Sequence, residues 1–294
     1  MIKKYLVSIF LILVSVSASN AQSQNTLFEY PIAPDTCTTL ESRCNYIVQR
    51  FWDKFDFTKP IPAETDSALA ATMTDYFEIM MNANTNVGLA SIRNMLFKAQ
   101  ANQPNFMKLV AIAEYILYMH PVSIIDDVYL TFAQAAADAS WMKSDAKNYY
   151  KSQIERINAS KLGDKITNCD LYDASGRKIK LYDVPIDSAK AVIVFFTGDG
   201  SGSSISRLRV STDVGINASL NNGRIKLFNI VVGDKAKQQV VTDASQYPDW
   251  TLLAMPDATR RLDLRIMPSV FVLDENLEII NKNLTVDEIK NIFN

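Results

Sequence analysis

Met267-Pro268-Ser269-Val270-Phe271-Val272-Leu273-Asp274 sets a proline directly before an apolar run. Such a run, bounded by breaker residues, reads as a buried strand. Glu275-Asn276 supplies a turn, and Glu278–Lys282 reads as the hairpin partner. Thr285–Phe293 then reads as a terminal helix, with Thr285 as N-cap and Glu288 three residues on, a capping box.

Working upstream, Ile225–Val232 and Ala189–Phe196 are two more buried-strand runs, and Ser203–Leu220 reads as a helix between them. Thr167–Tyr172 and Lys178–Tyr182 are short strands joined by the turn Asp173-Ala174-Ser175-Gly176. The order is β β β α β … β β α. Before residue 160 the texture changes. Apolar residues recur at helical spacing over Leu40–Phe57, at Leu69, Met73, Phe77 and Met80, and at Ile92, Leu96 and Ala99. The pattern continues at Phe106, Val110, Ala113 and Leu117, at Tyr129, Phe132 and Ala136, and at Tyr149, Ile154 and Ile157. This spacing predicts five or six packed helices over residues 39–160.

The first residues form a separate object. Met1-Ile2-Lys3-Lys4 is positive, Tyr5–Val16 is nearly all apolar, and Ser19-Asn20-Ala21 offers small residues for cleavage. This pattern predicts a signal peptide over residues 1–21. The apolar run falls short of the ~20 residues that span a bilayer, so no stable membrane insertion is expected after cleavage. Losing Lys3 and Lys4 takes the basic count from 30 to 28 against 32 acidic residues, a mature charge of −4. The expected location is the periplasm or the exterior, where disulfides form. The expected domains are residues 22–160, helical, and residues 161–294, α/β.

Composition narrows the function classes. The 294 residues carry a net charge of −2, which gives no basic footprint for nucleic acid. One histidine, His120, and three cysteines, Cys37, Cys44 and Cys169, exclude most histidine-based metal sites and a four-cysteine zinc site. No metal and no cofactor is expected.

The strand order, with Met267-Pro268 before the final hairpin and helix, resembles the thioredoxin fold. More narrowly, residues 161–294 resemble exported thioredoxin-like proteins of thiol and cytochrome maturation, whose opening hairpin Lys161-Leu162-Gly163 and Leu171–Arg177 resemble. The stretch Tyr46–Phe57 resembles an uncharacterised helical domain that precedes such domains in exported proteins. The resemblance implies an all-α N-terminal domain followed by a thioredoxin-like domain, a mixed central sheet flanked by helices. It also implies a Cys-x-x-Cys pair at the start of the helix after the central strand, where the helix dipole and free N–H groups lower a thiol's pKa. Here Phe195-Phe196 is followed by Thr197-Gly198-Asp199-Gly200-Ser201-Gly202-Ser203-Ser204, which puts Gly200 and Ser203 at the two positions. Neither carries sulfur, so dithiol exchange at this loop is chemically impossible and the redox positions are degenerate. Pro268 matches the family's cis-proline, whose bend exposes Met267 backbone to an extended peptide.

The expectation is therefore a non-catalytic module that binds a protein or peptide of the cell envelope through Met267 and Pro268, with Trp250 and Ser201 as further binding residues. The alternative is a redox protein that works with a partner through Cys37/Cys44 or Cys169. On one continuous helix Cys37 and Cys44 would lie ~10 Å apart, too far to bridge. With Cys37 in coil before a helix starting near Thr39 the chain can fold back, and a Cys37–Cys44 disulfide is expected. Cys169, in a strand, is expected as a buried thiol. Gly198-x-Gly200-x-Gly202 departs from the GxGxxG of dinucleotide sites and lacks the Lys of a P-loop. A serine nucleophile would need a base, and His120 lies in the other domain. Asp126-Asp127 read as acids at a helix N-terminus rather than as paired catalytic carboxylates.

Overall fold

The computed structural model describes residues 27–120, 125–198, 201–256 and 262–293. The expected signal peptide lies outside them. The chain divides into two compact units, residues 1–113 and 114–294.

In the first unit α1 (Leu40–Arg50) starts at a capping box: Thr39 accepts from the Ser42 amide and Ser42 from the Thr39 amide, each at 3.1 Å. The helical spacing predicted through Phe57 ends at Arg50 instead, and turns follow. The aromatics that produced that spacing fold back as a cluster, in which Trp52 packs edge-on against Phe51, Phe28 and Phe55. A 3₁₀ turn (Ala63–Thr65) leads into α2 (Asp66–Met80), followed by α3 (Thr85–Ala99) and α4 (Gln103–Glu114). Phe51 packs on Tyr76 of α2 at 4.8 Å between ring centroids. Full burial of a side chain like Phe51 contributes about 1.5–3 kcal/mol. Ser91 of α3 accepts from the Tyr76 hydroxyl and donates to Val48 O, both at 2.7 Å, so one small side chain ties α1, α2 and α3.

Near the start of the second unit is a π-helical turn (Tyr115–Met119). Then come α5 (Asp126–Asp138) and α6 (Ser144–Asn158). The remainder runs β1 (Asp170–Tyr172), β2 (Lys178–Lys180), β3 (Ala191–Thr197), α7 (Ser201–Ser211), α8 (Val214–Asn221), β4 (Ile225–Val232), α9 (Ala236–Asp243), β5 (Thr251–Met255), β6 (Ser269–Asp274), β7 (Ile279–Asn281) and α10 (Val286–Phe293). The seven strands form one mixed sheet in the order β2-β1-β5-β4-β3-β6-β7. β3, β4 and β5 are parallel, and β6 runs antiparallel to β3 with Phe196 opposite Ser269.

β3 is buried at all seven positions because both faces are covered, which is why it reads as a continuous apolar run. Ile193 and Phe195 face a core shared with Val210 of α7, Ile216 of α8, Val240 of α9 and Ile289 of α10. Val192, Val194 and Phe196 face the other core, with Ile166, Leu181, Val184 and Leu262. At the β1–β2 turn Gly176 takes φ +82°, which a side chain would resist, and its amide donates to Asp173 O at 2.9 Å.

The expected architecture, helices followed by a mixed sheet flanked by helices, is the one observed. Beyond the earlier end of α1, three elements differ from the sequence reading. The Ser203–Leu220 helix is two helices, α7 and α8, because Asp213 caps a new start by accepting from the Ile216 amide at 3.0 Å. The sequence pattern marks neither α9 nor β5. The capping box at Thr285 holds, with Glu288 accepting from the Thr285 amide at 2.8 Å.

Candidate functional site

The junction of β3 and α7 is where the resemblance places the redox pair. Asp199 and Gly200 lie outside the described residues, as does the side chain of Ser201, which opens α7. Ser203 is described and nearly buried. Its hydroxyl accepts from the Gly198 amide at 2.9 Å, so it closes the loop onto the strand end. Replacing Ser203 by alanine leaves that amide without its acceptor. The expected loss is about 1 kcal/mol in urea denaturation, with the fold retained.

Below the loop sits a polar group that the sequence did not reveal. Arg207 of α7 and Asp243 of α9 have side chains only 2% and 3% exposed, with Nε and Oδ2 3.5 Å apart, an ion pair without a direct hydrogen bond. Arg207 Nη1 donates to Thr197 Oγ1 at 3.0 Å, and Nη2 donates to Ser204 Oγ at 3.1 Å. Asn229 of β4 donates from Nδ2 to the same Thr197 hydroxyl at 2.9 Å and to Phe195 O at 2.8 Å. Gln239 Nε2 donates to Asp243 Oδ1 at 2.8 Å. The group fixes the end of β3 and the first turns of α7. It contains no thiol and no histidine. The one signal for it in the sequence is Asn229, a polar residue inside an apolar strand. His120 stands at the end of the π-helical turn with its ring 4.4 Å from that of Tyr115.

Beside this junction the Met267–Pro268 bond is cis, as the resemblance implies. Pro268 directly precedes Ser269, which pairs with Phe196 near the end of β3. Met267 is 37% exposed. The structure thus brings Met267, Pro268 and Ser203 to the same end of the sheet.

Trp250 is not among them. It is 8% exposed and stacks on Tyr247 at 4.5 Å between ring centroids and a 14° interplanar angle. It precedes Thr251, which is level with Phe228 and, through Phe228, with Val194. Trp250 is therefore about four residues, ~13 Å, down the sheet from the Pro268 level and three strands across. The expected binding residue is a core anchor. Its exposed rim, with Tyr247, Pro248 and the Asp173–Ser175 turn, lines an open depression of about 330 Å³.

Two of the cysteines also depart from expectation, while Cys169 is the buried thiol expected. Cys37 and Cys44 are separate thiols, not a disulfide. The Thr39 cap starts α1 between them and turns Cys44 into the core at 0% exposure, while the Cys37 carbonyl accepts from Arg43 Nη1 at 3.4 Å. Burial pushes the Cys44 thiol pKa up, away from the reactive thiolate. Cys169 is 3% exposed, takes part in no disulfide, and precedes β1, which β5 and β4 separate from β3. No helix among the described residues is long and apolar enough to cross a membrane.

The fold is thioredoxin-like, and the Cys-x-x-Cys motif is absent from the sequence. Residues 15–160 match the model of a family described as a domain of unknown function (DUF5106). Over the whole fold the structure is similar to the crystal structure of a thioredoxin-like protein from Bacteroides caccae, with a TM-score of 0.78 and 16% sequence identity. That match covers 91% of this chain and 98% of the other. A thiol:disulfide interchange protein from Bacteroides sp. matches at a TM-score of 0.37 and 18% identity over 46% of this chain and 88% of that one. The thioredoxin domain of a thiol-disulfide oxidoreductase from Bacteroides vulgatus matches at 0.37 and 17% over 45% and 94%. No curated protein matches the chain.

Proposed function

We propose that this is an exported thioredoxin-fold protein that binds a protein or peptide of the cell envelope and does not exchange disulfides. The observation that carries the reading is Ser203. At a position where the fold's redox members hold sulfur, a hydroxyl is committed to the Gly198 amide and does a structural task. What remains at that end of the sheet is Met267, exposed beside Pro268, a place where an extended segment can add by backbone hydrogen bonds. The export reading rests on residues 1–21 of the sequence, and the protein's place is then the periplasm or the exterior.

The redox alternative through Cys37/Cys44 or Cys169 is disfavoured by burial. Cys44 and Cys169 are closed to a partner disulfide, and Cys37 has no second thiol bonded to it. Two measurements test the proposal. Insulin reduction by dithiothreitol is expected to run no faster with the protein than without it, and turnover would overturn the reading. Peptides selected on the mature chain are expected to lose about tenfold or more in affinity on Met267→Asp, since a charge opposes an apolar contact. Unchanged affinity would move the binding site elsewhere.

A further inference from the structure

Asp126 and Asp127 read in the sequence as ordinary acids at a helix start. Both do stand in the first turn of α5, and Asp126 makes further contacts. Its Oδ1 accepts from Arg265 Nη2, and its Oδ2 accepts from Lys282 Nζ at 2.6 Å. Arg265 Nη2 also donates to Asp263 Oδ2 at 2.6 Å. The four side chains are withdrawn from solvent: Asp263 is 1% exposed, Arg265 4%, Lys282 9% and Asp126 20%. Two carboxylates and two cations balance. Arg265 rests over the Tyr118 ring at 4.9 Å, and its Nε and Nη1 find no acceptor among the described residues, so Nη2 alone carries its hydrogen bonds. Burial works against the guanidinium charge, and the neighbouring Asp263 and Asp126 overcome it, so Arg265 stays ionised.

The backbone is held from the same side. The Asp263 amide donates to Ser160 Oγ at 3.1 Å, and Ser160 is fully buried just past α6. The stretch from Leu262 to Pro268 contains no helix or strand of its own. Both of these anchors come from residues upstream of 161, and Lys282, at the end of β7, is drawn to the same carboxylate.

We propose that Asp126 is the positioning residue for the Met267 segment: it clamps Arg265, two residues before Met267, so that the helices before the sheet set how the binding segment is presented. This rests on the reading of Met267 as the binding site. Because affinities and conformational equilibria are linked, loosening the clamp lowers affinity at Met267 without any contact between Asp126 and the ligand.

The experiment compares the mature wild-type chain with Asp126→Asn, Asp126→Glu and Lys282→Met. Amide hydrogen exchange is read at residues 262–268 and over α1–α4, alongside affinity for a peptide selected on the wild type. Asp126→Asn is expected to speed exchange at 262–268 by about tenfold or more, to leave α1–α4 unchanged, and to weaken the peptide about fivefold or more. Asp126→Glu keeps the charge and is expected to restore most of both. Lys282→Met leaves Arg265 its two carboxylates, so it is expected to fold and to raise exchange at 262–268 about two- to threefold, which keeps the test open if Asp126→Asn does not fold. Exchange at 262–268 that does not change, or that rises only in step with the whole chain, overturns the clamp. If the wild type binds no peptide, the functional proposal fails on its own, and the exchange data still decide whether Asp126 holds the segment.

Discussion

Replacing Arg207 by methionine is expected to lower folding stability by about 3–5 kcal/mol, read as a fall in the urea midpoint at constant slope. Methionine matches the length of the arginine stem and removes the charge. Asp243 then stays behind with a carboxylate oxygen facing a missing guanidinium in a site closed to water. Thr197 Oγ1 and Ser204 Oγ each lose a donor in the same step. The double variant Arg207→Met/Asp243→Leu separates the value of the pair from the penalty of breaking it. Burying two apolar side chains in place of two charges is often neutral, so the double variant is expected to recover most of the loss. A single variant within about 0.5 kcal/mol of wild type would show that the end of β3 does not depend on this pair.

The second large effect lies in the first unit. Asn105 is 1% exposed and makes three hydrogen bonds to one loop. Its Oδ1 accepts from the Ile61 amide at 3.0 Å, and its Nδ2 donates to Phe57 O at 2.8 Å and Lys59 O at 2.7 Å. Asn105→Ala strips all three, and the Ile61 amide and Phe57 carbonyl are buried where water does not replace the lost partner. At ~1–3 kcal/mol for each unsatisfied group, the expected cost is about 3–4 kcal/mol. Amide exchange should rise first over residues 57–61, and then across the aromatic cluster of Phe51, Trp52 and Phe55 that the loop closes over. Asn105→Asp keeps the acceptor but loses both donations and buries a charge, so it should be no milder.

These two residues show what a one-dimensional reading reaches and what it does not. β4 and β6 were legible to the residue because each is an apolar run with clear boundaries, and α10 because Thr285 and Glu288 sit at capping distance. The pattern overruns the end of α1 because Ile47, Phe51 and Phe55 fall four residues apart, and periodicity cannot tell a helix face from a knot of rings. β5 is hard to read because it holds only four apolar residues, Leu252–Met255, after Tyr247-Pro248-Asp249-Trp250, and looks like an approach to Pro268. The missing sulfur at Gly200 and Ser203 is a property of the sequence and needed no coordinates. Arg207 with Asp243, and Asp126 with Arg265 and Lys282, are different. Each is an unremarkable charge in the linear sequence, and only folding brings them together: Asp126 and Lys282 are 156 positions apart. Trp250 was misplaced for the same reason, since composition does not say which way a ring turns.

The two outer strands carry a last consequence. β2 and β7 are three residues long, β2 presents Lys178 and Lys180 ion-paired to Asp170 at 2.9 and 2.5 Å, and the pairing of β7 is interrupted between Val272 and Leu273. Short, charged or irregular rims make poor templates for another copy of the chain. Such a sheet resists growing sideways into fibrils even when the protein is crowded.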